Sequence, residues 1–294
     1  MRTRTLLLSL LTALLVAGLS TPASAQAQAR TLSETVALDP NGSVFVDNHE
    51  GRITVTGWDC DAVQYEVVID APGGSDELEN TEIRVTRWSR SLRFETEYRR
   101  SGPLSWNRNV PPVHYTIRMP RTARLSIDDH DSNIEVTGLA SDLEIDTHDG
   151  PIRVADHEGR VTIDSHDGRM ELQNVTGDLA IDTHDGDVTV TNLRGGFELD
   201  THDGTADVTF AALTGDVEID THDGRFTLTL PAGTGFDLHT DFDDDANLDA
   251  DFDLSGIRLA DDEDDEVNYR GAVNGGGPRI ELSAHDGRFA LRTR

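Results

Sequence analysis

The chain contains no lysine: all 25 of its basic residues are arginine, set against 55 Asp and Glu. A formal net charge of −30 excludes nucleic acid as a partner, because phosphate would be repelled. The absence of lysine beside abundant aspartate fits a salt-adapted proteome. Cysteine is nearly absent, and the lone Cys60 excludes an intrachain disulfide framework and any multi-cysteine zinc site. It reads as a small side chain in the turn Trp58-Asp59-Cys60-Asp61. Long apolar runs are missing after residue 19, so no membrane span is expected. A catalytic signature is missing too, since no pair of carboxylates stands apart from the rest.

What is present begins with an export signal. Arg2 and Arg4 form a charged start, Leu6 to Leu19 an apolar stretch, and Ala23-Ser24-Ala25 a small-residue cleavage site. The apolar stretch is too short for a stable span of about 20 residues. With no cysteine near the cleavage site, a lipid anchor is not expected. The expected product is exported, to the periplasm or outside the cell.

Periodicity then dictates the fold. His130, His148, His166, His184 and His202 are each 18 residues apart, and His222 follows after 20. Around each runs one pattern, clearest in Leu143-Glu-Ile-Asp-Thr-His-Asp-Gly150, with outlying copies at Val46–Gly51 and Leu282–Gly287. Apolar residues alternate before the turn (Leu143/Ile145, Val161/Ile163, Leu179/Ile181) and after it (Ile152/Val154, Met170/Leu172, Val188/Val190). Period two with polar residues between is a half-buried strand. Glycine supplies the positive φ of a tight corner, and a second corner recurs at Gly159, Gly177, Gly195 and Gly215.

Each unit is two short strands and two turns, too small to bury its own apolar face. Stacking resolves this by bringing residue i over residue i+18 at about 4.8 Å. The predicted fold is all-β: a parallel single-stranded β-solenoid, or β-helix, with 18-residue coils and an irregular N-terminal β segment. A hairpin meander is the competing fold, but antiparallel pairing does not call for one constant offset.

The stretch Tyr115-Thr-Ile-Arg-Met-Pro120, then Leu125-Ser-Ile, then the turn repeats, resembles a bacterial β-strand-repeat family of unknown function that carries a candidate-adhesin label. The ending Asn274-Gly-Gly-Gly-Pro-Arg-Ile-Glu-Leu282 with His-Asp-Gly287 is similar to that family's closing coil. The resemblance runs from about Val44 to Leu291. The family's turn is usually Ser-Gly or Asn-Gly, whereas this chain uses His-Asp-Gly. The resemblance implies surface adhesion and brings no catalytic residues.

Residues 59–124 break the repeat after a first coil, with strands expected at Gln64–Ile69, Ile83–Trp88, Leu92–Tyr98 and His114–Arg118. Within it, residues 84–124 hold ten Arg against Glu95 and Glu97, whereas 125–294 hold 11 Arg against 41 acids. This basic patch reads as a cap balanced by local ion pairs, a segment packed on the acidic array, or a site for an acidic partner. Residues 231–277 hold a less regular coil, with acid runs at Asp243-Asp-Asp245 and in a solvated loop from Asp261 to Glu266. Alternating Asp241, Asp243, Asp245, Asn247, Asp249 and Asp251 weakly resemble a calcium loop, but lack the glycine and terminal glutamate of an EF-hand. The expected organisation is a signal peptide at 1–25, an N-terminal β segment with the first coil at 30–124, and the solenoid at 125–294 with acidic loop 261–266.

Alternation places Thr147 inward, so Asp146 and His148 face out. Stacking turns them into rows: His130, His148, His166, His184, His202 and His222 beside Asp128, Asp146, Asp164, Asp182, Asp200 and Asp220. A third row, Asp149 through Asp223, sits at the turn. Like charges at about 4.8 Å in water repel by about 1 kcal/mol per neighbouring pair before screening. Concentrated salt, protonated histidines or bridging divalent metal would relieve this. Imidazole with carboxylate suits zinc, nickel or copper, and carboxylate alone suits calcium. The core columns drift among aliphatics while the outward His is the same in eight copies, which points to a role for the row. A duplicated turn on a salt-adapted surface explains it without one, and a pH-responsive surface is a third reading. His157 falls in an apolar column with Val175 and Leu193 and reads as structural.

The leading functional reading is a non-enzymatic exported scaffold that presents repeated Asp-x-His-Asp-Gly rows to an envelope glycan or protein surface. The alternative is a divalent-cation-binding envelope protein. A polysaccharide-cleaving enzyme comes third, because an enzyme needs one unique site of differing groups. Neither the ligand nor the oligomeric state follows from the sequence.

Overall fold

The computed structural model describes residues 28–72, 74–99, 110–243, 246–260 and 267–294. The expected signal peptide, the acidic loop 261–266, and Asp244 and Asp245 lie outside the described residues. The described chain is almost wholly strand, with one short helix at Ser75–Asn80 that the sequence pattern did not signal.

The repeat stacks in parallel and in register. Leu143–Thr147 pairs with Val161–Ser165, joining Leu143 to Val161, Ile145 to Ile163 and Asp146 to Asp164. Val161–Ser165 pairs in turn with Leu179–Thr183, and the latter with residues 197–201 at the same offset. The second strand of each coil forms its own column: Asp131–Thr137, Ile152–Glu158, Arg169–Thr176, then residues 187–194. Each coil thus gives one strand to each of two parallel columns. Each inward residue lies on its copy in the next coil, so aliphatic columns such as Leu125, Leu143, Val161 and Leu179 are fully buried along the axis. The meander is excluded, because the repeated strands all run the same way.

The ends depart from the simple pile. The first coil in the chain, Ser43–Asp47 with Glu50–Trp58, pairs on one side with Arg124–Asp128 and Asp131–Thr137. On its other side it pairs with Ser91–Tyr98 and Val113–Pro120. Residues 59–124 therefore break the repeat in sequence but not in space: they supply a coil beyond the first one. The C-terminal end mirrors this. Arg279–Thr293 lies along residues 217–230 on one edge, and on the other against Phe236–Phe242 and Asn247–Ala250. The expected closing coil is thus an inner coil, and the less regular one lies outside it.

Antiparallel strands finish both ends. Ala62–Ala71 runs against Val113–Pro120, Gln28–Ala37 against Ala62–Ala71, and Thr81–Arg87 against Ser91–Tyr98. At the far end Val267–Val273 runs against Phe236–Phe242. The basic segment is a cap with local ion pairs: Arg84 meets Glu97, Arg87 meets Glu34, Arg99 meets Glu82, and Arg124 meets Asp142. Among the alternating acids, Asp249 and Asp251 both pair with Arg292, and Asn247–Ala250 is a strand.

Candidate functional site: a ladder of imidazoles and carboxylates

The site is built at the corner where the first strand of each coil turns into the second. Alternation buries Thr147 and leaves Asp146 and His148 exposed, as the pattern predicts. The buried hydroxyl closes the turn. Thr147 Oγ1 donates to the Asp149 carbonyl at 3.1 Å and Ser165 Oγ to the Asp167 carbonyl at 3.1 Å. Thr201 Oγ1 instead donates to the His184 carbonyl of the preceding coil at 3.2 Å. A small hydroxyl residue recurs here because its own buried O–H finds an acceptor among the turn carbonyls.

Glycine ends the turn for two different reasons. Gly150 has φ +109, and a β-carbon there would sit 2.2 Å from the Ser132 carbonyl oxygen. At Gly186 φ is not positive. A β-carbon there would instead lie 2.6 Å from Thr183 Oγ1, so close approach rather than backbone hand selects glycine.

These constraints place all eight motif histidines in one uninterrupted stack. The order is His49, His130, His148, His166, His184, His202, His222 and His285. Centroid separations from His130 to His222 are 4.8–5.1 Å with interplanar angles of 2–5°. The 20-residue step between His202 and His222 leaves the stack intact at 5.0 Å. Only the last ring, His285, tilts, by 55°. The two outlying copies thus join the ladder at its ends because their coils are tucked inside the caps. The five rings from His148 to His222 are about half exposed.

The carboxylate nearest each imidazole is the one at the turn. His148 Nδ1 lies 3.2 Å from Asp149, His166 3.3 Å from Asp167, His184 3.2 Å from Asp185 and His202 3.3 Å from Asp203. At His222 the distance to Asp223 is 3.6 Å. Four groups bring three ligating atoms within 4.8 Å of one another: His148, Asp149 and His166; Asp167, His184 and Asp185; Asp185, His202 and Asp203; Asp203, His222 and Asp223. Among the described residues the strand-row acids Asp128, Asp146, Asp164, Asp182, Asp200 and Asp220 join none of these groups, nor does His130. Those acids form their own column, in which burial first, and then the charges of Asp182 and Asp146, hold the Asp164 carboxyl above its usual range. Asp200 and Asp220 also border a hollow of about 440 Å³ with His202, His222, Asp241 and His285.

At the N-terminal end Asp129 takes the inward place that Thr147 holds in the next coil. Burial pushes its carboxyl up, against hydrogen bonds donated by the Ser132 amide and hydroxyl. Asn48, in the coil before, donates to the Val113 carbonyl and to Ser132 Oγ, tying the cap to the ladder. His157 stands opposite Val175 in a buried column, as its spacing predicts. A column that went unread is Asp156, Asn174 and Asn192. All three have left-handed φ of 53–61°, and their side chains are bonded coil to coil at 2.8 and 3.1 Å. Their signal was the same 18-residue spacing, and their work is to hold a corner.

Among the described residues no helix is long and apolar enough to cross a membrane. Compared with known proteins, residues 43–288 match the family described as Toastrack DUF4097. No curated protein matches. Among solved structures, a candidate adhesin from Bacteroides fragilis is 13% identical over 90% of this chain and 97% of its own, with a TM-score of 0.39. A candidate cell adhesion protein from Clostridium sporogenes is 11% identical over 90% of this chain and 100% of its own, at 0.30. A candidate lipid-binding protein from Parabacteroides distasonis is 10% identical over 89% and 96%, also at 0.30.

Proposed function

The chain belongs to the Toastrack DUF4097 family, and from that premise we propose that it works as an exported, non-catalytic scaffold that attaches to a cell-envelope surface in the manner of an adhesin. The observation that carries this reading is the ladder itself, in which eight identical groups follow one another at about one coil spacing along a rigid rod. A catalytic centre sets unlike groups around one reacting atom. A ladder offers the same groups many times over, which suits a polymer or another repeating surface. The charge limits the partner further: with a net −30, direct contact favours neutral or cationic surfaces over polyanions.

The test is retention of the purified chain on immobilised envelope polysaccharide, compared with a variant carrying His184→Asn and His202→Asn. Retention that falls at least tenfold in the variant supports the reading. Equal retention of both proteins removes the ladder from it, and release of new reducing ends from the polysaccharide overturns the non-catalytic part.

A further inference from the structure

We propose that the ladder is a linear divalent-metal site, in which each ion is held by the imidazole and turn carboxylate of one coil together with one ligand from the adjacent coil. The first argument is the bite. A tetrahedral ion with bonds of about 2.0 Å to nitrogen and oxygen has ligand atoms about 3.3 Å apart. Within the four groups, the Nδ1-to-carboxylate distances of 3.2, 3.2 and 3.3 Å at His148, His184 and His202 have that length already, and His222 lies slightly wider at 3.6 Å. Little side-chain movement is then needed to chelate, and rigid stacking holds the rings in place.

The second argument is the third ligand. Each of the four groups takes two ligands from one coil and one from the coil beside it, which only a parallel in-register stack provides. Three of the groups are linked, because Asp185 belongs to the second and third and Asp203 to the third and fourth. A carboxylate has two oxygens and can give one to each of two ions. Residues 167–223 therefore form a string of three positions with two bridging carboxylates, and His148, Asp149 and His166 form a fourth.

The donor set chooses the class of ion. Imidazole nitrogen with carboxylate oxygen suits zinc, nickel or copper, whereas calcium takes six to eight oxygens. The electrostatics favour occupancy too: turn-row and strand-row carboxylates repeat along the same corner, and each ion adds two positive charges between them.

This inference does not rest on the adhesive reading. A chain that binds metal without retention on polysaccharide, or the reverse, separates the two. The experiment is calorimetric titration of the full chain with Zn²⁺, Ni²⁺ and Ca²⁺, with Tm followed in parallel and Co²⁺ as a spectroscopic probe. The expected results are more than one Zn²⁺ per chain, a rise in Tm, and a Co²⁺ visible band of four-coordinate type. His184→Asn with His202→Asn should remove at least two ions while the far-UV circular dichroism stays unchanged. Asp185→Asn with Asp203→Asn, which leaves the stacked rings in place, should do the same. Asp182→Asn with Asp200→Asn in the strand row should leave the stoichiometry intact. The proposal is overturned if millimolar Zn²⁺ moves neither heat nor Tm, if Ca²⁺ matches Zn²⁺ in stoichiometry and affinity, or if the strand-row variant loses as many ions as the histidine variant.

Discussion

At Gly177 the backbone is left-handed, with φ +137, and a β-carbon would lie 2.2 Å from the Gly159 carbonyl oxygen in the coil below. Neither partner can give way, because both are main chain locked in the stack. Gly177→Ala should therefore cost about 2–4 kcal/mol in urea unfolding, and a loss under about 0.5 kcal/mol would contradict the close approach. His157 makes a different prediction. It is buried opposite Val175, neither ring nitrogen meets hydrogen-bond geometry, and burial pushes the imidazole down while nearby backbone at Ser141 and Arg160 partly opposes the shift. The unfolded chain then takes up the proton first. Stability from this residue is complete above the unfolded value of about 6.5 and is lost as pH falls from there towards the lowered folded value. His157→Val should gain stability relative to the parent at pH 5 more than at pH 8, read from paired denaturation curves; a gain independent of pH would contradict it. At this scale the inward and outward assignments were legible from alternation alone. The identity of the carboxylate beside each imidazole was not. Residues two apart on a strand are about 6.6 Å apart along it, so Asp146 is set away from His148, whereas the turn folds Asp149 back to 3.2 Å.

Each strand pair was readable from the sequence wherever copies follow one another, because a constant 18-residue offset leaves one register that keeps the aliphatic columns inside. The order of coils at the ends was not readable. A coil gains the same stacking contacts whether its neighbour precedes or follows it in the chain, so the motif in Leu282–Gly287 marks a coil but not its place. The exposed strand Gln28–Ala37 left no signal either, since its residues are nearly all solvent-facing and show no apolar alternation. These placements predict unequal truncations. Removing residues 279–294 deletes Ile280, Leu282, Phe289 and Leu291, all buried, from between two coils. At about 2–5 kcal/mol for each large core side chain, the loss of about 8–20 kcal/mol is as large as a typical stability of about 5–15 kcal/mol, and no cooperative unfolding transition should remain. Removing residues 28–37 exposes one face of a cap and should lower Tm by only a few degrees. If calorimetry found the two truncations equally damaging, the nested order of the ends would be wrong.

Across the whole molecule the rows of acids make charge the dominant variable. Raising salt from 0.1 to 1 M shortens the screening length from about 10 to about 3 Å, which is less than one coil spacing. With a chelator present, Tm should rise by about 5 °C over that range; a flat or falling Tm would mean that the stacked carboxylates are already neutralised. The tucked ends carry a consequence for how such a rod lengthens over evolutionary time. Because the first and last repeats in the gene are clamped on both sides, material appended to either terminus meets a finished cap instead of an open edge. New rungs can enter only by duplication in the middle, between residues 125 and 222, where one copied eighteen-residue block slides in and adds one histidine to the line. Rod length and the number of ladder positions are therefore one inherited quantity, changed together by a single unequal crossover.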